Sequence, residues 1–427
     1  MLAADQRVTA IDNGRKPPLK ICLLGYRSNP YSGGQGIYIK FLSKALVDAG
    51  HQVDVISGEP YPNLDDRVRL IKLPGLNLFE SPNHVTALRP RHLLSYTDFF
   101  EWFSMLTGGF AEPYTFGRRL VAYFRRHAPD YDIVHDNQSL CYGTLRLQKM
   151  GIPLVTTIHH PITSDLRIAL AAANSWKLRL LIKRWHSFLR MQKKVTRQLD
   201  HIVTVSKASR DDIARDFGVP ADAINIVANG IDTDVFKPLE SIEREACTLM
   251  VTASADVPLK GLDYLLQAVA TIRDDYPRLK LIVLGKLKED GETARLIDRL
   301  GIHDLITFYS GLSSDEVAAL YARATCAVIP SIYEGFGLPA GEAMACRVPV
   351  ISTTGGALPE VVGDAGLMVP TADHRAIAAA LRRYLDDPDL RHTNARKGFD
   401  RIQQQFSWEV AASEMAELYH NIIVEAH

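Results

Sequence analysis

Short apolar runs alternate with longer amphipathic segments along nearly the whole chain. This alternation predicts repeated strand–helix units built around parallel sheets. The apolar runs are rich in Val, Ile and Leu, as expected of parallel strands that are buried on both faces. In the first half of the chain the predicted strands are 19–25, 52–57, 133–135, 154–158 and 201–206, and in the second half they are 249–253, 279–285, 306–309, 326–330 and 350–352.

The two sets of strands predict two doubly wound α/β domains. We expect the first domain at residues 1–205 and the second at 206–407. A polar, turn-rich stretch at 229–238 is typical of an entry to the second domain. The amphipathic pattern at 408–427 predicts a final helix that could pack on either domain, including back on the first. Ligands of doubly wound sheets bind outside the carboxyl ends of the strands, so the candidate chemistry is sought there.

Composition and charge refine this picture. The chain has 427 residues, 47% of them hydrophobic and 23% charged, which is typical of a globular protein too long for one core. Its 49 basic and 49 acidic residues cancel. Residues 1–200 nevertheless carry 27 basic against 16 acidic residues, and 201–427 carry 22 against 33. The two halves therefore present surfaces of opposite charge.

Several classes of protein are disfavoured. No run of 18 apolar residues occurs, and the N-terminus lacks the apolar core of a secretory signal. Five widely separated cysteines form neither a metal-ligand pattern nor a disulfide framework. We therefore expect a cytoplasmic protein that needs no metal or other cofactor.

A glycine-rich loop follows the first predicted strand. It ends in Gly33-Gly34-Gln-Gly before an amphipathic helix, which is an arrangement that lets backbone N–H groups approach a phosphate or a sugar. The loop is too long for a dinucleotide fingerprint, and a simple flexible turn remains the alternative.

The most specific pattern is IPSIYEGFGLPAGEAMA at residues 329–345. A buried strand leads into Glu334-Gly-Phe-Gly, and a helix then begins with Pro339 near its first position and Glu342 in its first turn. Two carboxylates eight positions apart thus flank an anion site at a helix N-terminus. Phosphate repels carboxylates, so these two are expected to accept hydrogen bonds from sugar and ribose hydroxyls.

This segment, with PVISTTGG and LPEVV after it, resembles the E-x7-E signature of retaining glycosyltransferase family four. Lys260-Gly261, Gly33-Gly34, Val205-Ser206-Lys207 and Asn229-Gly230-Ile231-Asp232 are similar to further motifs of that family. The resemblance covers roughly residues 19–425. It implies the GT-B architecture, in which two Rossmann-like domains face each other across a cleft.

The resemblance also implies roles for individual residues. Glu334 would hold hydroxyls of the donor sugar, Lys260 would neutralise the diphosphate leaving group, and His159 would lie near the reacting sugar. The assignment of a functional role to His160 is less secure, and both histidines could instead be structural. The expected donor contacts are Gly33, Gly34, Ser254, Lys260, Gly285, Glu334, Gly335, Phe336, Gly337, Leu338 and Glu342.

One position departs from the family pattern. The family commonly has an arginine about five residues before the lysine, whereas this chain has Ala255 there. Either Lys260 acts with helix dipoles alone, or another cation such as Lys286 replaces the arginine.

The basic excess of the first half is concentrated at 166–199, which contains nine Lys and Arg residues and no acidic residue. Tryptophan, leucine and phenylalanine are interleaved at helical spacings. This pattern fits a helix on an anionic membrane, a solvated helix face or, with less support, a nucleic-acid site, and we expect no nucleic-acid partner. The aromatic stretch 99–116 could line an acceptor site or simply pack on the core.

Together these features predict a metal-independent, retaining glycosyltransferase. Its donor would be a nucleotide-diphosphate sugar, with UDP the expected nucleotide, and its acceptor a saccharide or lipid-linked hydroxyl at the inner membrane surface. The alternatives are a nucleotide-sugar epimerase, a phosphorylase, and a non-catalytic nucleotide-sugar-binding subunit.

Overall fold

The structure, a computed structural model, describes residues 16–30, 34–78, 89–173 and 175–426. Its first sheet consists of β1 Lys20–Gly25, β2 Gln52–Ser57, β3 Arg69–Lys72, β4 Ile133–Asn137, β5 Leu154–Thr157, β6 Ile202–Thr204 and β7 Ile224–Ile226. The strands lie parallel in the order β3-β2-β1-β4-β5-β6-β7. The order reverses between β1 and β4, where a doubly wound sheet opens a crevice for ligands.

The second sheet consists of β8 Thr248–Thr252, β9 Lys280–Leu284, β10 Ile306–Tyr309, β11 Cys326–Ile329, β12 Val350–Thr353 and β13 Leu367–Val369. These strands are also parallel, in the order β10-β9-β8-β11-β12-β13. The two parallel sheets confirm the predicted α/β class. The predicted first domain ended at residue 205, but β7 pairs with β6, so strand pairing extends the first sheet to Ile226.

Helices cover both faces of each sheet. Those of the first half are α1 Gly34–Asp48, α2 Tyr96–Leu106, α3 Glu112–His127, α4 Tyr142–Lys149, α5 Thr163–Ala172, α6 Trp176–Trp185, α7 Leu189–Thr196 and α8 Lys207–Ile213. Those of the second half are α9 Leu262–Ile272, α10 Glu292–Leu300, α11 Ser314–Arg323, α12 Leu338–Ala345, α13 Leu358–Val362, α14 His374–Asp386, α15 Pro388–Gln405 and α16 Trp408–Ala426.

The last helix returns to the first sheet. Trp408, Met415 and Tyr419 of α16 are buried in one core with Tyr38 and Leu42 of α1. Burial of these large side chains drives the return, because each contributes on the order of 2 kcal/mol when it leaves water. The final helix therefore belongs to the first half of the molecule in space, although it comes last in sequence.

The other face of the first sheet packs on α3, α4 and α7 through a separate core that includes Phe116, Leu120, Leu145, Met191 and Val195. This arrangement leaves α2 and α6 outside the two cores of the first sheet. The carboxyl ends of both sets of strands carry the loops in which the candidate residues lie.

Candidate functional site

Two loops of the second sheet hold the candidate residues Lys260 and Glu334. Gly261 has a φ of +62°, and a Cβ at this position would lie 2.1 Å from the carbonyl oxygen of Pro330. This close approach, open only to glycine, seats the loop after β8 directly on the loop after β11. Lys260 Nζ consequently lies 2.7 Å from Glu334 Oε1, and Ser331 Oγ donates to the same oxygen at 2.8 Å.

The Glu334-Gly-Phe-Gly loop is fixed from behind by the two glycines that follow β12. The N–H of Ala357 donates to the Glu334 carbonyl at 2.9 Å, and a Cβ on Gly356 would lie 2.2 Å from that oxygen. Phe336 is buried in the core, and Gly337, with φ +102°, begins α12 at Leu338. Pro339 has no N–H and the N–H of Ala340 donates to the Gly337 carbonyl at 3.0 Å, which leaves the N–H of Leu338 for an anionic or polar ligand.

Glu342 lies deeper along α12 than the sequence predicted. It is the fifth residue of the helix, and the first turn holds no acidic residue. Burial, and to a smaller extent the charge of Asp232, raise the pKa of Glu342 to about 7. This carboxyl group is therefore close to half-protonated at neutral pH in the ligand-free protein.

Ser254 and Gly285 lie at the same edge of the sheet, after the neighbouring strands β8 and β9. A Cβ on Gly285 would lie 2.2 Å from the carbonyl oxygen of Ala253, so the two loops are in contact. The Ser254 and Lys286 side chains are exposed, and no carboxylate of the described residues lies within 4 Å of the Lys286 ammonium. Ala255, at the position of the absent arginine, is buried.

The first sheet contributes His159, which follows β5. Its Nε2 lies 2.7 Å from Asn137 Oδ1, and its backbone N–H donates to Gln138 Oε1 at 2.7 Å. Gln138 also donates from Nε2 to the His160 carbonyl at 2.9 Å, and the Tyr38 ring meets the His159 ring edge-on at 4.7 Å. Burial, followed by the nearby His160, lowers the pKa of His159 to about 3, so its imidazole is neutral at pH 7.

His160 is in a different environment. Its side chain is half-exposed and lies 4.0 Å from Asp165. The two neighbouring histidines therefore differ: several contacts hold the His159 ring, and the His160 side chain is half-exposed.

The glycine loop of the first half is described only in part. Gly33 lies outside the described residues. Gly34 begins α1 with nothing within 4 Å of a Cβ at that position. The next residue, Gln35, accepts a hydrogen bond from Asn137 Nδ2 at 3.0 Å. The start of α1 and His159 therefore share Asn137 as a neighbour.

The two edges meet at Gly335. Ser206 Oγ and Ser209 Oγ of the first half donate to the Gly335 carbonyl at 2.8 and 3.1 Å. A Cβ on Gly335 would lie 3.6 Å from the His159 carbonyl oxygen. The structure thus brings His159, Lys260, Glu334 and the start of α1 to the facing edges of the two sheets, around one cleft.

The structure also shows residues that join the two halves and that the sequence did not identify as site residues. The carboxylate of Glu360, at the start of α13, accepts from the N–H groups of Lys207 and Ala208 at 2.8 and 2.9 Å and so caps α8. The Tyr333 hydroxyl donates to Asp212. Ser206 could have been recognised from sequence as an N-cap residue before a helical pattern. Its hydrogen bond to the Gly335 carbonyl across the cleft could not, because no local sequence pattern indicates it.

The described residues hold no group of three His, Cys, Asp or Glu side chains arranged to bind a metal ion. Nor does any helix in the described part combine the length and apolar character needed to cross a bilayer. All five cysteines are free thiols.

Comparison with known proteins gives the same class as the fold and the cleft. The family model described as "Glycosyltransferase Family 4" matches residues 32–235, and the one described as "Glycosyl transferases group 1" matches 236–401. The chain is 44% identical over 409 residues to the MMP alpha-(1->4)-mannosyltransferase of Mycolicibacterium hassiacum, covering 95% of this chain and 98% of that protein. The chain therefore belongs to glycosyltransferase family four and is a glycosyltransferase.

More distant relatives agree. The D-inositol 3-phosphate glycosyltransferase of Streptomyces bingchenggensis is 27% identical, with 95% of this chain and 90% of that protein covered. The sucrose-phosphate synthase structure from Thermosynechococcus elongatus superposes with a TM-score of 0.69 at 24% identity, over 95% of this chain and 100% of that one. This structural likeness confirms the two-domain GT-B fold.

Proposed function

We propose that this protein is a retaining, metal-independent glycosyltransferase that moves a sugar from a nucleotide-diphosphate sugar to a hydroxyl acceptor. The observation that carries the proposal is the Lys260–Glu334 pair. Glu334 belongs to the Glu334-Gly-Phe-Gly loop, whose Gly335 lies next to His159 across the cleft. A cation for a leaving diphosphate and a carboxylate for sugar hydroxyls are the two groups that this chemistry needs side by side.

The name of the Mycolicibacterium relative supports a more specific form of the proposal, because 44% identity extends over nearly all of both chains. We take a mannosyl group as the transferred sugar and a saccharide 4-hydroxyl as the acceptor. UDP is the first nucleotide to test, with GDP and ADP forms as the comparison.

In the proposed step, the acceptor oxygen forms a bond to the anomeric carbon on the face from which the nucleotide leaves. The bond between that carbon and the phosphate oxygen breaks, and its electron pair stays on the diphosphate. The acceptor proton passes to the departing phosphate oxygen. The anomeric configuration is therefore kept without a covalent enzyme intermediate.

Each residue of the cleft has a role in this step. Lys260 releases Glu334 and turns to the diphosphate when the donor binds, and the freed Glu334 accepts hydrogen bonds from the sugar. His159 stays neutral, and Asn137 holds its ring. Glu342 accepts hydrogen bonds from the ribose in its carboxylate form. Lys260 and the N-terminus of α12 attract the anionic donor locally, which the net negative charge of the second half cannot do.

The test is a transfer assay with nucleotide-mannose donors and manno-oligosaccharide acceptors, with products analysed by mass spectrometry and NMR. We expect wild-type protein to give an α-linked product in the presence of EDTA, and Glu334→Ala to lose transfer. Exposed Glu409 provides the control variant Glu409→Ala. Unchanged transfer by Glu334→Ala would contradict the assignment of the site. Donor conversion without acceptor would indicate an epimerase, and donor binding with no transfer would indicate a binding subunit.

A surface of the first half supports a second proposal, that the enzyme lies on an anionic membrane. Helix α6 has no buried residue, and Trp176 is 71% and Leu180 61% exposed. Arg184 Nη2 donates to Thr107 Oγ1 at 2.8 Å, which joins α6 to the end of α2, where Phe103 is 50% exposed. Among the described residues no carboxylate lies within 4 Å of the Lys and Arg side chains of α6, and exposed apolar side chains among such cations fit an anionic lipid surface.

Sedimentation with vesicles containing phosphatidylglycerol tests this second proposal. We expect binding that weakens with salt and is lost in Trp176→Ser/Leu180→Ser. Val424→Ser changes an equally exposed side chain on α16 and should bind as wild type. Equal binding by all three proteins, or no binding at low salt, would contradict it.

A further inference from the structure

A cleft of about 290 Å³ lies on the outer face of the first half, between α3, α4 and α7. It is separate from the donor cleft, because its lining comes only from these helices and the residues just after α7. Its position follows from the close crossing of α3 and α4. A Cβ on Gly143 would lie 2.4 Å from the Gly117 carbonyl oxygen, so the two backbones are in contact and fix the floor.

The lining of this cleft is cationic. Arg118, Arg146, Lys149 and Lys194 line it, and no acidic residue does. No carboxylate of the described residues lies within 4 Å of any of these four groups. Arg118 donates to Thr97 Oγ1 and lies over the Tyr96 ring, and Lys194 lies 5.9 Å above the Tyr142 ring, so these neighbours do not neutralise either cation. Four like charges around one concave surface repel each other, and a bound anion relieves that repulsion.

Aromatic rings form the apolar part of the lining. Tyr114 and Tyr142 meet edge-on, with ring centroids 6.4 Å apart and planes at 90°. Such a corner offers one ring face to an apolar surface and two hydroxyls to polar groups. Cations beside exposed tyrosine rings suit a ligand that joins a phosphate to a carbon ring or chain.

We propose that this cleft binds a phosphate monoester, at a site independent of the sugar donor. A phosphate dianion takes several N–H donors at once, as arginine and lysine side chains on three different helices can provide. The phosphate can belong to a soluble phosphorylated sugar or to a lipid headgroup, and the two sources are separated by experiment.

The first measurement is calorimetry of the full chain with glucose 6-phosphate, with glucose as the uncharged comparison. We expect binding of the phosphorylated sugar alone, weakened by about tenfold or more in Arg146→Ala/Lys149→Ala. Arg278→Ala/Arg299→Ala removes the same charge from exposed positions of the second half and should bind as wild type. Lys260→Ala should also retain this binding, because the donor cleft is elsewhere.

The second measurement uses vesicles of phosphatidylcholine with and without phosphatidic acid. Vesicle binding that requires Arg146 and Lys149 but not Arg278 and Arg299, with no binding of glucose 6-phosphate, assigns the site to a lipid headgroup. Binding of glucose 6-phosphate with the same dependence assigns it to a soluble ligand. The proposal is overturned if neither probe binds, or if the two double variants lose binding equally.

Discussion

The two halves of the molecule share one fold but hold their functional groups in different ways. In the second half, Lys260 and Glu334 form one ion pair, with the Glu334 side chain only 13% exposed, on loops locked by glycine contacts. In the first half, His159 depends on Asn137 at the end of β4, on Gln138 just after it, and on Tyr38 of α1. The first arrangement can be recognised in short motifs, whereas the second exists only after the sheet has formed.

The charges of the two halves differ in the same sense. The second half is acidic overall, with 33 acidic against 22 basic residues, and it places Lys260 at the proposed donor site. The first half is basic, and its cations lie on outward-facing helices such as α6 and in the cleft between α3, α4 and α7. Lys260 and helix N-termini of the second half thus bind the proposed donor, and the broad positive surface of the first half is available to other anions.

Loss of the cation at the donor site should have the largest effect. Lys260→Ala is expected to lower kcat by about a hundredfold to a thousandfold, because a group that stabilises charge in the transition state is removed. The measurement is steady-state transfer. Lys280→Ala removes an exposed lysine from the same half and should be close to wild type. A similar small decrease in both variants would contradict the leaving-group role.

Two glycine variants compare a tightly packed glycine of the second half with an unobstructed glycine of the first half. Gly261→Ala should lower the free energy of unfolding by about 2 kcal/mol or more, because φ is +62° and the new Cβ meets the Pro330 carbonyl. Gly34→Ala should leave thermal unfolding nearly unchanged, since nothing lies within 4 Å of its Cβ. If Gly34→Ala nevertheless impairs transfer, the start of α1 approaches the donor. Equal thermal shifts would show that the contact at Pro330 is relaxed in solution.

Contacts between the halves are tested by Glu360→Ala. The N–H groups of Lys207 and Ala208 would lose their acceptor, and the loops around Gly335 would be held less firmly. We expect kcat/KM for transfer to fall by about tenfold. Glu243→Ala, at an exposed position, is the control. Wild-type activity of Glu360→Ala would mean that this contact does not position the cleft.

The smallest effect concerns pH. Burial and Asp232 raise the pKa of Glu342 to about 7, so its carboxylate form increases as pH rises through that value. Donor affinity should therefore increase between about pH 6 and 8, because the ribose hydroxyls need an acceptor. Stability should change in the opposite direction. The folded pKa lies above the unfolded one, so the contribution present below about pH 4.5 is lost as pH rises through about 7.

Glu342→Gln should remove both pH dependences, and Glu409→Gln, at an exposed position, should keep them. Calorimetry of donor binding and thermal unfolding at several pH values measure the two effects. A pH profile of donor binding that is identical in wild type and Glu342→Gln would exclude the ribose role.

Much of the fold could be predicted from the pattern of the chain. Each of the ten predicted strands overlaps a strand of the structure, and two of them, β2 and β10, have the predicted bounds. The strands that the pattern missed are β3, β7 and β13, which lie at sheet edges. Edge strands are short and partly exposed, so they often lack the continuous apolar run of a central parallel strand. β10 is also an edge strand, but its sequence Ile-Thr-Phe-Tyr consists of β-branched and aromatic residues, and it was recognised.

The candidate site divides in the same way. The pattern at residues 329–345 correctly predicted the Glu334-Gly-Phe-Gly loop and the helix α12 after it, because strand, turn and helix start are encoded locally. Glu342 was expected in the first turn but is the fifth residue of α12, since helix starts read from sequence are uncertain by one or two residues. The Glu360 cap on α8 joins residues more than 150 positions apart, and no local pattern reports it.

The sequence by itself determined the α/β class, the family and the second-half motif, because these depend on short-range periodicity and on glycine, proline and acidic residues at fixed spacing. Only the tertiary structure decided that His159 is hydrogen-bonded to Asn137 and neutral while His160 is half-exposed, that α16 completes the first half, and that four cations meet in one cleft. The physical reason is that burial and charge clustering depend on which distant segments pack together, and that choice is made by the whole core.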